Sequence, residues 1–251
     1  MILAILQARC SSRRLPNKVL KPLLGRPMVL REIERLSRSQ HIDRIVLATS
    51  VDASDDGLYD AVHEAGVYVY RGSLDDVLGR YYACAKEYGA DHIVRVTGDC
   101  PVIDWRVTDN VIAQHLAEHN DYTHMTERFP EGLDTEVMTF AALERAYRAA
   151  TRSSEREHVT LYFRNYPEQF HIGVVDCAED YGDMRWTVDE PCDFALVETI
   201  YEQLYPTNND FAMQDMLALF SEHPELQELN QSVIRNEGLL KSLAEDTEFI
   251  G

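Results

Sequence analysis

The sequence predicts a three-layer α/β/α protein whose sheet is mostly parallel, and three observations support this prediction. The chain opens with the short apolar run MILAIL, as expected for a buried strand at the centre of such a sheet. Further along, strand-like and helix-like segments alternate, which is typical of parallel strands joined by helices. With 251 residues, 45% of them hydrophobic, the chain can bury a sizeable core. We therefore expect one domain over residues 1–251.

The individual elements follow from the spacing of apolar residues and from capping signals. Ser73 is expected to begin one helix that Gly89 closes, and Ser153 or Ser154 is expected to begin a later one. The predicted helices cover residues 27–36, 58–65, 72–89, 105–120, 141–151, 153–167 and 191–205. The predicted strands after the first cover residues 43–50, 67–70, 92–99, 121–126, 136–140 and, with the letters MRWTV, 184–188.

Composition excludes several classes of protein. The formal net charge of −19 and the isoelectric point near 4.8 argue against nucleic acid or an anionic membrane as a partner. No apolar run approaches the roughly 18 residues of a membrane span, and the N-terminal segment lacks the basic region of a signal peptide. We therefore expect a cytoplasmic protein. The five cysteines lack CxxC spacing and are expected to be reduced thiols, with Cys10 and Cys100 packing rather than acting as nucleophiles.

The loop that follows the first strand, Gln7–Leu20, carries a local excess of positive charge. It leaves the carboxyl end of the strand, the edge at which open α/β sheets bind ligands. Pro16 stiffens the loop, which has no glycine and no GK[ST] ending and so is not a Walker A loop. The cations of the loop and its immediate flank are Arg9, Arg13, Arg14, Lys18 and Lys21. In an acidic protein such a cluster indicates a specific anion, although solvated loop charges are the alternative.

Two aspartates are expected at the tips of strands that end at this same edge. Asp99 follows the predicted strand 92–99, and Asp189 follows MRWTV. Either could simply cap the next helix, although Asp104 is better placed than Asp99 for that role. Magnesium prefers one or two carboxylates together with phosphate oxygens and water. Two aspartates facing a basic loop therefore indicate a site for a metal and a polyphosphate.

The loop pattern Q-A-R-x-S-S-x-R-L-P-x-K-x-L resembles the opening signature of the cytidylyltransferase family, and most of all its spore coat polysaccharide branch. The segment VDEPCD resembles a late motif of the same family. The resemblance implies a nucleotide-diphospho-sugar transferase-like fold. It also implies that Arg9, Arg14 and Lys18 hold the triphosphate of CTP, and that Asp99 and Asp189 bind Mg²⁺. The further nucleotide contacts that it implies are Gln7, Ala8, Ser12, Gly72, Ser73, Asp76 and Gly98.

A segment between the two aspartate motifs is expected to select the second substrate. The strings GLDTEV and REHVT resemble the spore coat branch, which makes four residues candidate contacts to the acceptor: Asp134, Glu136, Arg156 and His158. Solvated charges on helix faces are the alternative for these residues, and an ion pair with Arg80 is the alternative for Asp76. Family members pair through this region, so residues 121–167 are expected to form a substrate and dimerisation embellishment of a homodimer. Residues 208–251 carry no recognised motif and are expected to pack.

The function expected from these features is a Mg²⁺-dependent cytidylyltransferase. It would join CMP from CTP to an acidic or hydroxylated acceptor, release pyrophosphate and serve surface polysaccharide biosynthesis. Two alternatives stay open. A glycosyltransferase of the same fold would use a nucleotide-sugar donor, although its D-x-D motif is replaced here by GDC. A nucleotide-binding subunit without turnover would keep the same ligands.

Overall fold

The computed structural model describes residues 1–233, 235 and 237–249. The strands are β1 Ile2–Gln7, β2 Pro22–Leu23, β3 Arg26–Pro27, β4 Arg44–Ser50, β5 Tyr68–Gly72, β6 His92–Thr97, β7 Tyr122–Met125, β8 Glu136–Thr139 and β9 Ile172–Val175. The α-helices are α1 Met28–Leu36, α2 Asp56–Glu64, α3 Val77–Tyr88, α4 Trp105–Ala117, α5 Phe140–Ala149, α6 Ser153–Glu157, α7 Leu161–Asn165, α8 Pro191–Leu204, α9 Met213–Glu222 and α10 Glu237–Ala244.

Seven strands form one sheet in the order β5-β4-β1-β6-β8-β7-β9. The pairs β5–β4, β4–β1, β1–β6 and β7–β9 are parallel, and β8 is antiparallel to both of its neighbours. Only β8 is therefore reversed within this sheet, which confirms the mostly parallel α/β fold. The short strands β2 and β3 form a separate hairpin.

The first strand shows why the sheet is covered on both faces. Its residues are buried without interruption from Leu3 to Leu6, and successive side chains point to opposite faces. Ala4 and Leu6 join a core with α1, α2, α4, α8 and α9, whereas Leu3 and Ile5 join a second core with α3, α5 and α7. The sheet therefore separates two helical layers, and its loop edges stay accessible. No helix in the described parts of the chain is long and apolar enough to cross a membrane.

The predicted start of the third helix was wrong. The helix begins at Val77, and its N-cap is Asp76, whose carboxylate accepts a hydrogen bond from the Gly79 amide at 2.9 Å. Ser73 instead accepts from the Asp76 amide at 3.1 Å and so forms the turn before the helix. The ion pair of Asp76 with Arg80 does not form: Arg80 donates to the Ser73 carbonyl at 2.6 Å, and the second oxygen of Asp76 lies 3.5 Å from Arg156. Gly89 does end the helix, in the left-handed conformation.

Three further predictions about secondary structure were wrong. Residues 153–167 do not form one helix, because the chain leaves helical geometry at His158 and the β-branched Val159–Thr160 pair separates α6 from α7. The N-cap of α6 is Arg152, with Glu155 bonding back to its amide, so neither Ser153 nor Ser154 caps this helix. The MRWTV segment is not a strand, and its bridge joins Arg185 to Glu131. Its amides bond in turn to Glu131 and Asp99, on two different segments, so no ladder forms.

Candidate active site

Two cavities open at the carboxyl edge of β1 and β6. The first, here called the loop cavity, has a volume of about 790 Å³ and is lined by the loop after β1 and by residues 97–99. The second, here called the arginine cavity, has a volume of about 680 Å³ and is lined by Arg95, Arg164 and Arg235 among others. The residues that line both cavities are Arg14, Thr97, Asp99, Asp189 and Gly238. The two cavities therefore meet at the two predicted aspartates.

The basic loop is held in place by a buried acid that the sequence analysis did not identify. Asp55 is fully buried and accepts hydrogen bonds from the amide of Cys10 at 2.7 Å and from Ser50 on β4. The Asn17 amide then bonds back to the carbonyl of Cys10 at 3.1 Å, with Asn17 in the left-handed region at φ 56°. These contacts close residues 10–17 into a compact turn that carries Arg13 and Arg14.

Gly98 is required by the close approach of the loop to β6. Its amide donates to the Gln7 carbonyl at 2.7 Å, and a Cβ at position 98 would lie only 2.7 Å from the Cβ of Ala8. A side chain at this position would therefore push the two strand ends apart. This approach brings Asp99 beside the basic loop.

Lys18 contacts both strand-end aspartates. Its Nζ donates to Asp99 Oδ2 at 3.1 Å, to Asp189 Oδ1 at 2.9 Å and to the Val188 carbonyl at 2.7 Å. Burial would lower the pKa of Lys18, but the two carboxylates outweigh burial and raise that pKa. The lysine is therefore a charged group that holds two carboxylates side by side.

Asp189 is oriented by a second buried network. Arg185 donates to Asp189 at 2.8 Å, to Asp193 at 3.0 and 3.1 Å and to Glu131 at 2.6 Å. Arg14 also lies 3.2 Å from Asp189. Burial would raise the pKa of Asp189, but Lys18, Arg185 and Arg14 together lower it to about 2. Asp189 is thus ionised at neutral pH.

Asp193 supports the turn that carries Asp189. It accepts from the amides of Asp189 and Glu190 at 2.9 Å, and Asn230 donates to it at 2.8 Å. Glu190 is the N-cap of α8. Asp193 therefore fixes the turn on which Asp189 stands, and Asp189 itself is not the helix cap.

The floor of the arginine cavity is built around Glu136. This buried carboxylate accepts from Arg95 at 2.5 Å, from Arg164 at 3.2 Å and from Thr160 at 3.2 Å, and it also contacts the hydroxyl of Tyr122. Burial would raise the pKa of Glu136, but the two arginines outweigh burial and lower it to about 2. Glu136 therefore holds in place two guanidinium groups that line the cavity.

His158 lies against the same floor as a neutral imidazole. Burial lowers its pKa, the charge of Glu157 opposes this shift, and the guanidinium groups of Arg95, Arg9 and Arg164 add to it. Its Nε2 is buried and makes no hydrogen bond within the described residues. Asp134 lines the cavity beside it, with about half of its side chain exposed.

The structure brings most of the predicted site residues to these two cavities. Those that line the loop cavity are Gln7, Ala8, Arg9, Ser12, Arg14, Lys18, Gly98, Asp99 and Asp189. Those that line the arginine cavity include Asp134, Glu136 and His158.

Four predicted site residues have structural contacts instead. Gly72 ends β5, and the Ser73 carbonyl accepts from Arg80 at 2.6 Å, while the neighbouring Leu74, Asp75 and Val77 line the loop cavity. Asp76 caps α3 and lies 3.5 Å from Arg156. Arg156 also donates to two carbonyls and stacks on Tyr147, so it ties α6 to α5.

The cysteines at the active edge are buried and protonated. All five cysteines are free and lie within the described residues. Burial, followed by the charge of Asp55, raises the pKa of Cys10 to about 11, and burial raises the pKa of Cys100 well above its ordinary range. Neither thiol has the lowered pKa of a nucleophile, in agreement with their expected packing role.

A family model described as cytidylyltransferase matches residues 3–222, which include both aspartates and the whole basic loop. The chain belongs to the cytidylyltransferase family. The family that the loop signature predicted is thereby confirmed, and with it the class of enzyme, a nucleotidyltransferase.

This cytidylyltransferase is similar to three proteins of known name or structure. The spore coat polysaccharide biosynthesis protein SpsF of Bacillus subtilis is 31% identical over 231 residues, covering 89% of this chain and 95% of SpsF. The 3-deoxy-manno-octulosonate cytidylyltransferase of Geobacter sulfurreducens is 38% identical over 120 residues, covering 47% of this chain and 46% of that enzyme. The solved structure of a cytidylyltransferase from Leptospira borgpetersenii has a TM-score of 0.87 at 28% identity, covering 93% of this chain and 99% of the other.

Several residues of this cytidylyltransferase site were missed by sequence reasoning. Arg95 carried a usable signal, because it is a charge within the otherwise apolar strand HIVRVT. Arg185 stands four residues before Asp189, a spacing that could have been noticed. Arg164 and Asp55 carried no signal, since their partners Glu136 and Cys10 lie 28 and 45 positions away. Their placement depends on the tertiary fold.

Proposed function

We propose that this protein is a Mg²⁺-dependent cytidylyltransferase that transfers CMP from CTP to an acidic or hydroxylated sugar acceptor in surface polysaccharide biosynthesis. The observation that carries the proposal is the meeting of two cavities at Asp99 and Asp189. A nucleotidyl transfer needs two substrates whose reacting atoms meet beside the groups that neutralise phosphate charge. The loop cavity would hold CTP, and the arginine cavity would hold the acceptor.

The loop cavity suits a nucleoside triphosphate. Its cations are Arg9, Arg13, Arg14, Lys18 and Lys241, and the arginines offer the planar donors that bind phosphate in pairs. The Gln7 Oε1 atom is buried and accepts no hydrogen bond from the described residues. A ligand group in the cavity would satisfy that atom, so Gln7 is a candidate contact to the nucleotide.

Asp99 and Asp189 fit a magnesium ion. Their carboxylates both lie within 3.1 Å of one ammonium, and Asp189 is ionised. No group of three or more His, Cys, Asp or Glu side chains suited to a metal occurs in residues 1–233, 235 and 237–249. Two carboxylates, such as those of Asp99 and Asp189, are the protein ligands that Mg²⁺ uses when substrate phosphates supply its remaining ligands. When bound, the ion would neutralise phosphate charge and polarise the α-phosphate.

The arginine cavity suits an acceptor that bears both hydroxyl and carboxylate groups. Arg95 and Arg164 share the single charge of Glu136, so these three residues together carry one net positive charge that would bind a carboxylate of the acceptor. Glu131 and Asp134 also line the cavity and can accept hydrogen bonds from hydroxyls. The spore coat assignment of SpsF and the sugar acid in the name of the Geobacter enzyme agree with such an acceptor.

In the proposed reaction an acceptor oxygen attacks the α-phosphorus of CTP and pyrophosphate leaves. Arg9, Arg14 and Lys18 would bind the triphosphate and stabilise the charge that develops on pyrophosphate. Arg185 and Asp193 keep Asp189 in position, and Glu136 keeps the acceptor-side arginines in position. Most of the catalysis would therefore come from orientation and charge neutralisation.

The test is pyrophosphate release with each of the four ribonucleoside triphosphates, Mg²⁺ and a panel of sugar acids. We expect release with CTP that requires both Mg²⁺ and an acceptor. D99N and D189N should each lower kcat by at least about 10²-fold while the far-UV circular dichroism spectrum is unchanged. Binding of a nucleotide sugar without binding of any free triphosphate would favour the glycosyltransferase. Binding of CTP without turnover on any acceptor would favour the non-catalytic subunit.

Two predictions stay untested. One is that residues 1–251 form a single domain, and the other is that two chains pair as a homodimer through residues 121–167. Sedimentation velocity at micromolar concentration tests the oligomeric state, and a monomer at every concentration would contradict the dimer.

A further inference from the structure

The segment 237–249, which contains α10, forms part of the wall of both cavities. Gly238 lines the loop cavity and the arginine cavity, and Leu239 lines the arginine cavity. The other members of the segment that line the loop cavity are Lys241, Ser242, Glu245 and Phe249. The family model matches residues 3–222 and so does not include this segment. The segment therefore lies where it would contact the ligands of both cavities.

The segment is fastened to the start of α6 by backbone pairing. The Ser153 amide donates to the Thr247 carbonyl at 2.8 Å, and the Phe249 amide donates to the Thr151 carbonyl at 2.8 Å. Arg152 and Glu248 form an antiparallel bridge between these two bonds. Residues 247–249 are thereby held against residues 151–153.

Side chains strengthen this attachment. Asp246 accepts from Arg152 at 2.8 Å and from the Ser154 amide at 3.0 Å, and only 9% of its side chain is exposed. Ser242 donates to Glu157 at 2.8 Å. The Arg156 guanidinium lies 5.3 Å from the ring centroid of Phe249. Several independent contacts therefore keep α10 against the cavities.

Lys241 brings a positive charge to the loop cavity from a part of the chain distant from the basic loop. The Lys241 side chain is exposed. Glu157, an acid that lines the same cavity, accepts a hydrogen bond from Ser242. The other acids that line this cavity are Asp75, Asp99, Asp189 and Glu245. Lys18 already pairs with Asp99 and Asp189. A lysine ammonium is a mobile point charge that can follow a phosphate group, which the more rigid arginines of the loop do less readily.

We propose that Lys241 binds the polyphosphate of the nucleotide and that residues 237–249 are a substrate-binding wall of this enzyme. This proposal rests on the proposed function for the identity of the nucleotide, because the loop cavity would hold the triphosphate. The phosphates would then be contacted both by the loop after β1 and by α10. Charge-assisted hydrogen bonds to phosphate are among the stronger polar contacts in proteins.

The test measures the dissociation constants of CTP and of inorganic tripolyphosphate by isothermal titration calorimetry with Mg²⁺. K241A should weaken binding of both ligands by about tenfold, and K241R should stay close to wild type. Alanine favours helix, so the substitution leaves α10 intact. K86A, which removes an exposed lysine of α3 outside both cavities, is the control and should bind as wild type does. The K241A defect should shrink as ionic strength rises, which the loss of a purely structural contact would not cause.

The outcomes separate the two proposals. Tripolyphosphate binding that depends on Lys241, without any CTP binding, would support the wall and overturn CTP as donor. CTP and tripolyphosphate binding that K241A leaves unchanged would overturn the role of Lys241 and leave the proposed function standing. Binding of neither ligand by the wild-type protein would overturn both proposals. As a second measurement, CTP should slow amide hydrogen exchange over residues 237–249, and unchanged exchange would contradict the wall.

Discussion

Lys18 Nζ lies 2.9 Å from Asp189 Oδ1 and 3.1 Å from Asp99 Oδ2, so one buried ammonium joins the basic loop to both strand-end carboxylates. The contact links residues 171 positions apart in sequence. It makes Lys18 a member of two groups, the cations proposed for phosphate and the carboxylates proposed for Mg²⁺. The charge balance of the site depends on this residue.

Replacing Lys18 with methionine keeps the aliphatic stem and removes the charge. Asp99 and Asp189 would then face each other without their common cation, so the free energy of unfolding should fall by about 1–3 kcal/mol. Pyrophosphate release should fall by at least about 10²-fold, because a phosphate-binding cation is lost. Urea unfolding and a pyrophosphate assay measure the two effects.

K86M is the matched control for K18M, since Lys86 is an exposed lysine on α3. It should change neither stability nor rate. Mg²⁺ without nucleotide should raise the Tm of K18M more than that of wild type, because the ion no longer competes with the ammonium for the carboxylates. A K18M protein with wild-type turnover would contradict the role given to Lys18.

Replacing Arg185 with methionine tests the network that orients Asp189. Arg185 is buried and bonds to Asp189, Asp193 and Glu131, so its loss leaves three carboxylates without their shared partner. Breaking such a buried ion pair costs about 3–5 kcal/mol, and we expect a loss in unfolding free energy of that size. Chemical denaturation measures it.

The comparison for R185M is R148M, which removes an exposed i,i+4 pair with Glu144 on α5. Such surface pairs contribute about 0.3–0.5 kcal/mol, so R148M should be nearly neutral. R185K should recover part of the stability and less of the activity, because lysine cannot bond to the same carboxylates in the planar geometry of arginine. Equal effects of R185M and R148M would show that the network does not support the site.

Much of the fold and of the site could be predicted from sequence because its signals are local. The apolar run of β1, the basic loop and the aspartates at 99 and 189 are each visible within a few residues. The parallel sheet then brings strand ends to one edge, which places distant motifs together without further information. Lys18 and Asp189 meet for this reason.

The parts that could not be predicted depend on contacts between distant segments. Ser73 and Asp76 both carry capping signals, and only the tertiary structure decides that Asp76 caps α3. Arg156 has the charge expected of a substrate ligand, but packing against Tyr147 and Asp76 uses it for structure. The attachment of α10 through Asp246 has no local signature, because its partners lie about 90 residues earlier in the chain.

Replacing Asp55 with asparagine tests how the basic loop is held. Asparagine has nearly the same shape but only one acceptor oxygen, so the bonds to the Cys10 amide and to Ser50 cannot all be kept. The loop should shift, and small displacements of binding groups can cost up to about 10²-fold in rate. We expect kcat/KM for CTP to fall by about tenfold or more, while KM for the acceptor changes little.

The control for D55N is D56N, at the exposed neighbour that pairs with Arg71. That variant should keep wild-type kinetics for both substrates. If D55N instead raised KM for the acceptor and left KM for CTP unchanged, the loop cavity would not be the nucleotide site.

Replacing Glu136 with glutamine tests the pH dependence of stability. The pKa of Glu136 is about 2 in the folded protein, below its ordinary value of 4.5, because Arg95 and Arg164 outweigh the effect of burial. The unfolded chain therefore binds the proton more readily. The stabilisation by this carboxylate is fully present above about pH 4.5 and is lost as pH falls towards 2. A difference of this size corresponds to about 3 kcal/mol.

E136Q should therefore be less stable than wild type at pH 7, and the difference should shrink as pH is lowered from 5 to 3. Urea unfolding at several pH values measures this change. E202Q, at an exposed position of α8, should keep the wild-type pH profile. Because Glu136 also anchors Arg95 and Arg164, E136Q should raise KM for the acceptor more than KM for CTP. A pH profile of E136Q parallel to that of wild type would show that this carboxylate is not the group whose protonation destabilises the fold.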